Sequence, residues 1–409
     1  MQTSKNPHAW RSRLSQRCHG HYALALRSIA AALFLICSSF IRHTYVTWQD
    51  DPCTTATITV HGVQTPPKLT LICGEKKVEV TGFQMPLPDK RRIYHFHLAQ
   101  LEPDTEYVFS VADATGSFRT LAFEPPYRFI EGGDFENTVE AETLTKLAAT
   151  YEPQAVFLGG DYPSTVLSSA DYSKWDRWLD TYTKYLGMTP LVMAIGNHEV
   201  IGGYNQPKEQ APFFFHYFRT EKNPESYYTI PLGKKHQLYI LDSGHHASHQ
   251  IQAEWLKANL QERTNIALYH VPLFPSVRFP NKGLACHLAQ KGAHIFKKKG
   301  CLFSPESYSG QQHWLPIFKE NIDISFEHHD QTLKRTKAIG RTTYLGDGGW
   351  GCLRQTKPLQ GLFHNYFVTL LGHKHFFWLI DIQDKNIITS AISVSNKQLD
   401  CIYFQNKLK

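Results

Sequence analysis

The first 43 residues contain no aspartate or glutamate, although they hold six basic residues: Lys5, Arg11, Arg13, Arg17, Arg27 and Arg42. The whole chain has 409 residues, with 43 Lys plus Arg against 36 Asp plus Glu and a formal charge of +7. The body after position 43 therefore lacks an excess of either sign, with 37 basic residues against 36 acidic. That near-neutral body excludes the basic footprint that nucleic-acid binding requires. Also lacking is any close Cys-x-x-Cys or Cys/His pattern, which excludes a structural zinc module. Low-complexity composition is absent as well. With 42 % hydrophobic and 13 % aromatic residues the chain has core material for two or three domains, and neither a disordered nor a disulfide-stapled scaffold fits.

Long apolar runs are missing apart from Ser28–Ile41. Its fourteen residues fall short of the ~20 that span a bilayer. Extending back to Tyr22 reaches that length, but with Arg27 inside. A cationic flank followed by an apolar core has the order of a signal peptide or N-terminal membrane anchor, so residues 1–43 read as a leader. Ser39 marks a weak cleavage site, and uncleaved residues 22–41 would form a membrane tether. Either route puts the body outside the cytoplasm: secreted, periplasmic or anchored facing outward. Six cysteines follow the leader, and the expected pairs are Cys53–Cys73 and Cys286–Cys301.

Residues 44–123 read as a run of short strands between Pro, Gly and Asp turns: Tyr45–Gln49, Thr55–His61, Lys68–Cys73, Arg92–Leu98, Thr105–Val111 and Ser117–Leu121. That spacing predicts an antiparallel β-sandwich. Leu101–Tyr107 (LEPDTEY) resembles the tyrosine-corner sequence of fibronectin type III domains, and Phe118–Thr120 resembles their last strand. The resemblance implies a fibronectin III-like domain that serves as a spacer or as a wall to a neighbouring cleft. Glu124–Tyr127 (EPPY) marks its end, because consecutive prolines cannot continue a strand ladder.

From residue 124 to 409 apolar runs alternate with amphipathic stretches, which predicts a layered α/β domain. Five runs end in metal-binding residue types. Tyr127–Glu131 leads to Gly132-Gly133-Asp134, and Ala155–Leu158 to Gly159-Gly160-Asp161. Leu191–Ile195 leads to Gly196-Asn197-His198-Glu199, Ile266–Tyr269 to His270, and Ile322–Phe326 to Glu327-His328-His329-Asp330. Thr138–Tyr151 is a predicted helix, and the Trp175, Trp178, Leu179, Tyr182 series has helical spacing.

Side chains just past the carboxyl ends of parallel strands converge on one crevice. Asp134, Asp161, Asn197, His198, His270 and His329 would then meet. The Gly-Gly pairs permit sharp turns and leave room for ions beside the backbone. Carboxylates that can bridge, together with neutral Asn and His donors, suit two metal ions. Such a pair lowers the pKa of a bound water and clamps a phosphoryl group.

The ordered set Asp134, Asp161, Gly196–Glu199, His270 and His329 resembles the calcineurin-like metallophosphoesterases. The preceding sandwich, Tyr269-His270-Val271 and His329–Arg335 (HDQTLKR) narrow the resemblance to purple acid phosphatases and their bacterial relatives. It implies an α/β metallophosphoesterase domain of two packed β-sheets flanked by helices. It also implies an acid phosphatase-like hydrolase with two metal ions, whether Fe, Mn, Zn or Mg, acting on a small phosphorylated substrate. Asp161 would bridge the ions and Asp134 would hold the first, while Asn197, His270 and His329 would hold the second. His198 would face the phosphate and assist the leaving group, with Arg335 a further substrate contact.

Three departures from the family pattern gather on the first ion. Gln331 stands where the family has a second histidine, Ser164 replaces the tyrosinate that colours purple enzymes, and Glu136 replaces a histidine common in wider relatives. Glu136 and Gln331 are accordingly candidate ligands only by position. Gly372-His373-Lys374-His375 matches the missing His-x-His string better, but its apolar flanks read as a hairpin turn. The main expectation is phosphomonoester hydrolysis. The alternatives are phosphodiester hydrolysis, or a catalytically weakened relative that binds a ligand. Gly346–Trp350 (GDGGW) and the basic stretch Lys282–Lys299 read as a turn and a solvated loop.

Overall fold

The computed structural model describes residues 41–62, 66–86, 91–163, 172–220, 223–280, 303–346, 348–353 and 365–406. The leader, Ser164, the expected pair Cys286 and Cys301, and Lys282–Lys299 all lie outside the described residues.

Two mixed sheets pack face to face. Among the described residues the larger has ten strands, and at its centre Tyr127–Gly132, Ala155–Leu158 and Leu191–Met193 run parallel. The smaller has seven, with parallel His236–Ile240, Thr264–Leu268, Ile324–Glu327 and Thr343–Gly346 at its centre. Alternate residues of these strands face opposite layers, which is the period-2 property of a strand. Phe129, Phe157, Val192, Ile266, Leu268 and Phe326 fill the space between the sheets. Their neighbours Ile130, Val156, Leu158 and Met193 face outward onto Trp175, Trp178, Leu179 and Tyr182 of the helix Tyr172–Leu186. On the far side Tyr239, Ala267 and Tyr269 meet Leu256 and Phe318 from two further helices. Strands covered on both faces read as unbroken apolar runs, which is why the sequence exposes them so clearly. The predicted helix is Val139–Ala149, capped by Thr138, whose hydroxyl accepts the Ala141 amide.

The N-terminal region is a pair of antiparallel sheets around a core that includes Val46, Ile58, Leu69, Phe96, Tyr107 and Phe109. Tyr107 closes a corner, its hydroxyl accepting the Glu102 amide at 2.8 Å. Two strands escape the sequence reading, Lys76–Thr81 and Phe83–Pro86. Lys76–Thr81 is exposed along almost its whole length, so it carries no apolar alternation to detect. The reading of this region as a spacer needs correction. Thr44–Thr47 pairs in parallel with Leu191–Met193, so one sandwich sheet continues directly into the ten-stranded sheet.

The Cys53–Cys73 expectation is also corrected, since both are free thiols. Cys53 lies in the core between the large sheets, whereas Cys73 packs against the sandwich core, so the two belong to different layers.

Candidate metal centre

The loops that follow the parallel strands of both sheets meet at one end of the molecule. From the ten-stranded sheet come Asp134, Asp161, Asn197 and His198; from the seven-stranded sheet come His270 and His329. His270 is the hub. Its Nε2 lies 3.1 Å from Asp161 Oδ2, 3.1 Å from Asn197 Oδ1 and 3.2 Å from His329 Nδ1. Its Nδ1 faces the Gly159 carbonyl at 2.9 Å, which takes the ring N–H and leaves Nε2 as the coordinating atom. A tetrahedral ion with ligand bonds of about 2.1 Å holds its donors about 3.4 Å apart. The His270 contacts are close to that spacing, so this half of the centre fits a cation. Asp161, His270 and His329 also form the one group of three among the described residues whose donor atoms all lie within 4.8 Å of one another.

Electrostatics bind these groups further. His270 is pushed up to about 9: burial opposes its charge, and the Asp161 carboxylate overrides burial. The Asp161 carboxyl is held below the usual range, because His270 and His198 outweigh its own burial. His198 stands at the open side with its side chain 22 % exposed and Nε2 3.6 Å from Asp161 Oδ2. Burial works against its charge, yet Asp161, Glu199 and Asp134 together raise its pKa.

Asp134 lies apart from the three-residue group. Its Oδ1 accepts Gln331 Nε2 at 2.9 Å and its Oδ2 accepts the His329 amide at 3.0 Å. Glu136 lies in the same loop, where burial and then the Asp134 and Glu136 charges push the Cys352 thiol up. Arg335, expected to contact substrate, is instead bound through two nitrogens to Asp400, at 2.7 and 2.9 Å. The Gly372–His375 segment is no hairpin turn. It carries the chain from Phe367–Leu371 in the smaller sheet to Phe376–Ile382 in the larger, and His373 is exposed.

Three supporting residues escaped the sequence reading. Glu199, fully buried, accepts the Gly196, Asp161 and Tyr162 amides at 2.7, 2.8 and 3.0 Å. It thereby ties the Asn197 loop to the Asp161 loop, and burial with the Asp161 charge raises its pKa to about 7. His328 bonds to the Tyr269 carbonyl and the Glu131 carboxyl at 2.8 and 2.5 Å. A side chain at Gly133 or Gly159 would overlap the His328 ring. The expected room for ions beside those glycines is therefore occupied by histidine. Gly348 belongs to the segment read as a plain turn, and a Cβ there would strike the Asp134 carboxylate. The available signals were the Glu after Asn-His, the doubled His and the Gly-Gly pair. Each is common enough in loops to carry little weight alone.

Asp134, Glu136, Asp161, His329 and Gln331 all take positive φ between 47° and 74°. Such backbone costs roughly 1 kcal/mol or more per non-glycine residue, and it gathers where a site over-determines the loop.

Comparison with known proteins agrees with this geometry. The family model for calcineurin-like phosphoesterase matches residues 132–300, a span that includes Asp134, Asp161, Asn197, His198 and His270 and ends before His329. The chain is 27 % identical over 217 residues to the Fe(3+)-Zn(2+) purple acid phosphatase 12 of Arabidopsis thaliana, covering 45 % of this chain and 44 % of that protein. The match thus spans less than half the length of this curated relative. In fold, it is similar to purple acid phosphatase PPD1 from yellow lupin (Lupinus luteus) seeds. The TM-score is 0.70 at 15 % identity, covering 88 % of this chain and 74 % of that one. A PhoD structure gives a TM-score of 0.63 at 13 % identity, with 90 % of each chain covered. Residues 132–300 thus carry a calcineurin-like phosphoesterase match, and the chain shares the fold of purple acid phosphatase PPD1.

Proposed function

We propose that the chain hydrolyses phosphate monoesters in a metal-dependent reaction at the Asp161, Asn197, His270 and His329 cluster. The observation that carries this reading is the convergence of Asp161, Asn197 and His329 on His270 Nε2, with protonatable His198 on the open side. An ion bound there would supply a water of lowered pKa and neutralise charge on the phosphoryl group. The sequence expectation adds a first ion at Asp134 with Asp161 as bridge, and the proposed reaction needs only the ion at His270.

The chain's own residues do the rest. Asp161, Asn197, His270 and His329 would hold that ion. Glu199 keeps the two oxygen-bearing loops in register through three amide bonds. His198, with its pKa raised, holds a proton at Nε2 for the departing ester oxygen. Supporting the reading further, the relative from Arabidopsis is named for an Fe(3+)-Zn(2+) phosphatase, and the fold relative from lupin for a purple acid phosphatase. We also read residues 44–123 as a fibronectin III-like domain, residues 124–409 as the phosphoesterase domain and residues 1–43 as a leader that exports or anchors it. No helix among the described residues is long and apolar enough to cross a membrane.

The test is hydrolysis of 4-nitrophenyl phosphate and bis(4-nitrophenyl) phosphate by metal-loaded protein. The monoester turns over faster, and His198→Ala lowers kcat on phenyl phosphate, a poor leaving group, by about 100-fold or more. The loss is smaller on 4-nitrophenyl phosphate, which needs less proton donation. Protein that holds its ion and turns over neither ester contradicts the proposal and favours a ligand-binding role.

A further inference from the structure

The two halves of the centre are not equally built for a cation, and the difference lies in what the carboxylates already bond. Asp134 is almost completely buried, so both its oxygens need partners. Gln331 Nε2 donates to Oδ1 at 2.9 Å and the His329 amide donates to Oδ2 at 3.0 Å. In a site built for an ion at Asp134 the cation itself would neutralise that carboxylate. Here a side-chain amide and a backbone amide occupy its oxygens instead.

Asp161 belongs to the histidine side. Its Oδ1 accepts the His198 amide at 2.8 Å, and its Oδ2 lies 3.1 Å from His270 Nε2, on the histidine side. A cation entering beside Asp134 would have to displace the Gln331 amide from Oδ1.

We infer that this chain binds one divalent cation, held by Asp161, Asn197, His270 and His329, and that the Gln331 amide stands in for the second. Two imidazole nitrogens and two oxygens suit a borderline ion such as zinc rather than a hard, oxygen-seeking one. The inference rests on the proposed function and narrows the expected two-ion centre to one ion.

The experiment is elemental analysis of full-length protein and of Gln331→His, each equilibrated with excess Zn²⁺ and gel-filtered. One zinc per wild-type chain and two per Gln331→His chain are expected, since the histidine trades an amide donor for a nitrogen ligand. Two ions in the wild type overturn the inference, because the Gln331 carbonyl must then face a cation. A Gln331→His protein still at one ion overturns it too, because Gln331 is then not what fills the site. No ion in the wild type would count against the proposed function itself, and the two failures are thereby told apart.

Discussion

The two sheets deliver different chemistry to the same place. The ten-stranded sheet sends oxygen donors, Asp134, Asp161 and Asn197, on loops held by glycines, positive φ and the Glu199 carboxylate. The seven-stranded sheet sends nitrogen donors. His270 and His328 there are each fixed by a ring nitrogen against a backbone carbonyl, that of Gly159 and that of Tyr269. The oxygen side is thus positioned by its loops, whereas His270 on the nitrogen side is positioned by a bond from its ring. Two consequences follow: disturbing a loop should displace oxygens, whereas changing the pH should act through the histidines.

The largest expected effect sets one donor from each sheet against the other. Asp161→Asn and His270→Ala should each weaken zinc affinity by more than about 100-fold, since loss of even an outer-shell partner costs 10–100-fold. Calorimetric titration measures this. If only one of the two variants loses affinity, the centre belongs to a single sheet and the comparison fails.

A smaller effect is expected at Glu199, which touches the oxygen side alone. Glu199→Gln keeps the shape but replaces half of a carboxylate that accepts three amides with an N–H donor. Zinc affinity should fall by about 10- to 100-fold, with the circular dichroism spectrum unchanged. Unaltered affinity would show that the oxygen loops hold their register without this tie.

Taken per pH unit, the smallest effect is the pH dependence of the nitrogen side. Without an ion His270 keeps its proton up to about 9, so binding must release it. Affinity should therefore rise with pH between 6 and 9, by up to about tenfold per unit, and level off above that. Affinity that stays flat over this window would mean that His270 is already neutral.

Much of this was legible in the sequence, and the reason is burial on both strand faces. Ile130, Val156 and Leu158 face the helices while Phe129 and Phe157 face the second sheet, so each strand appears as a run that stops at its Gly-Gly-Asp or Asn-His. The donors follow from where those runs stop. What lay hidden depends on partners far along the chain. Arg335 reads as a cleft residue until Asp400, 65 positions later, claims it. The link between the sandwich and the ten-stranded sheet is a pairing of Thr47 with Leu191, which no local pattern marks. Glu199 and His328 bind backbone atoms and space, and neither leaves a periodicity. Gly159 was read as a turn that leaves a gap, whereas it is small because the His328 ring occupies that gap.

The most direct measurement is the X-ray absorption spectrum of the zinc-loaded protein. Convergence of the two sheets predicts a mixed sphere with scattering from two imidazole rings, reduced to one in His270→Ala or His329→Ala. A sphere of oxygens alone, unchanged in either variant, would contradict it.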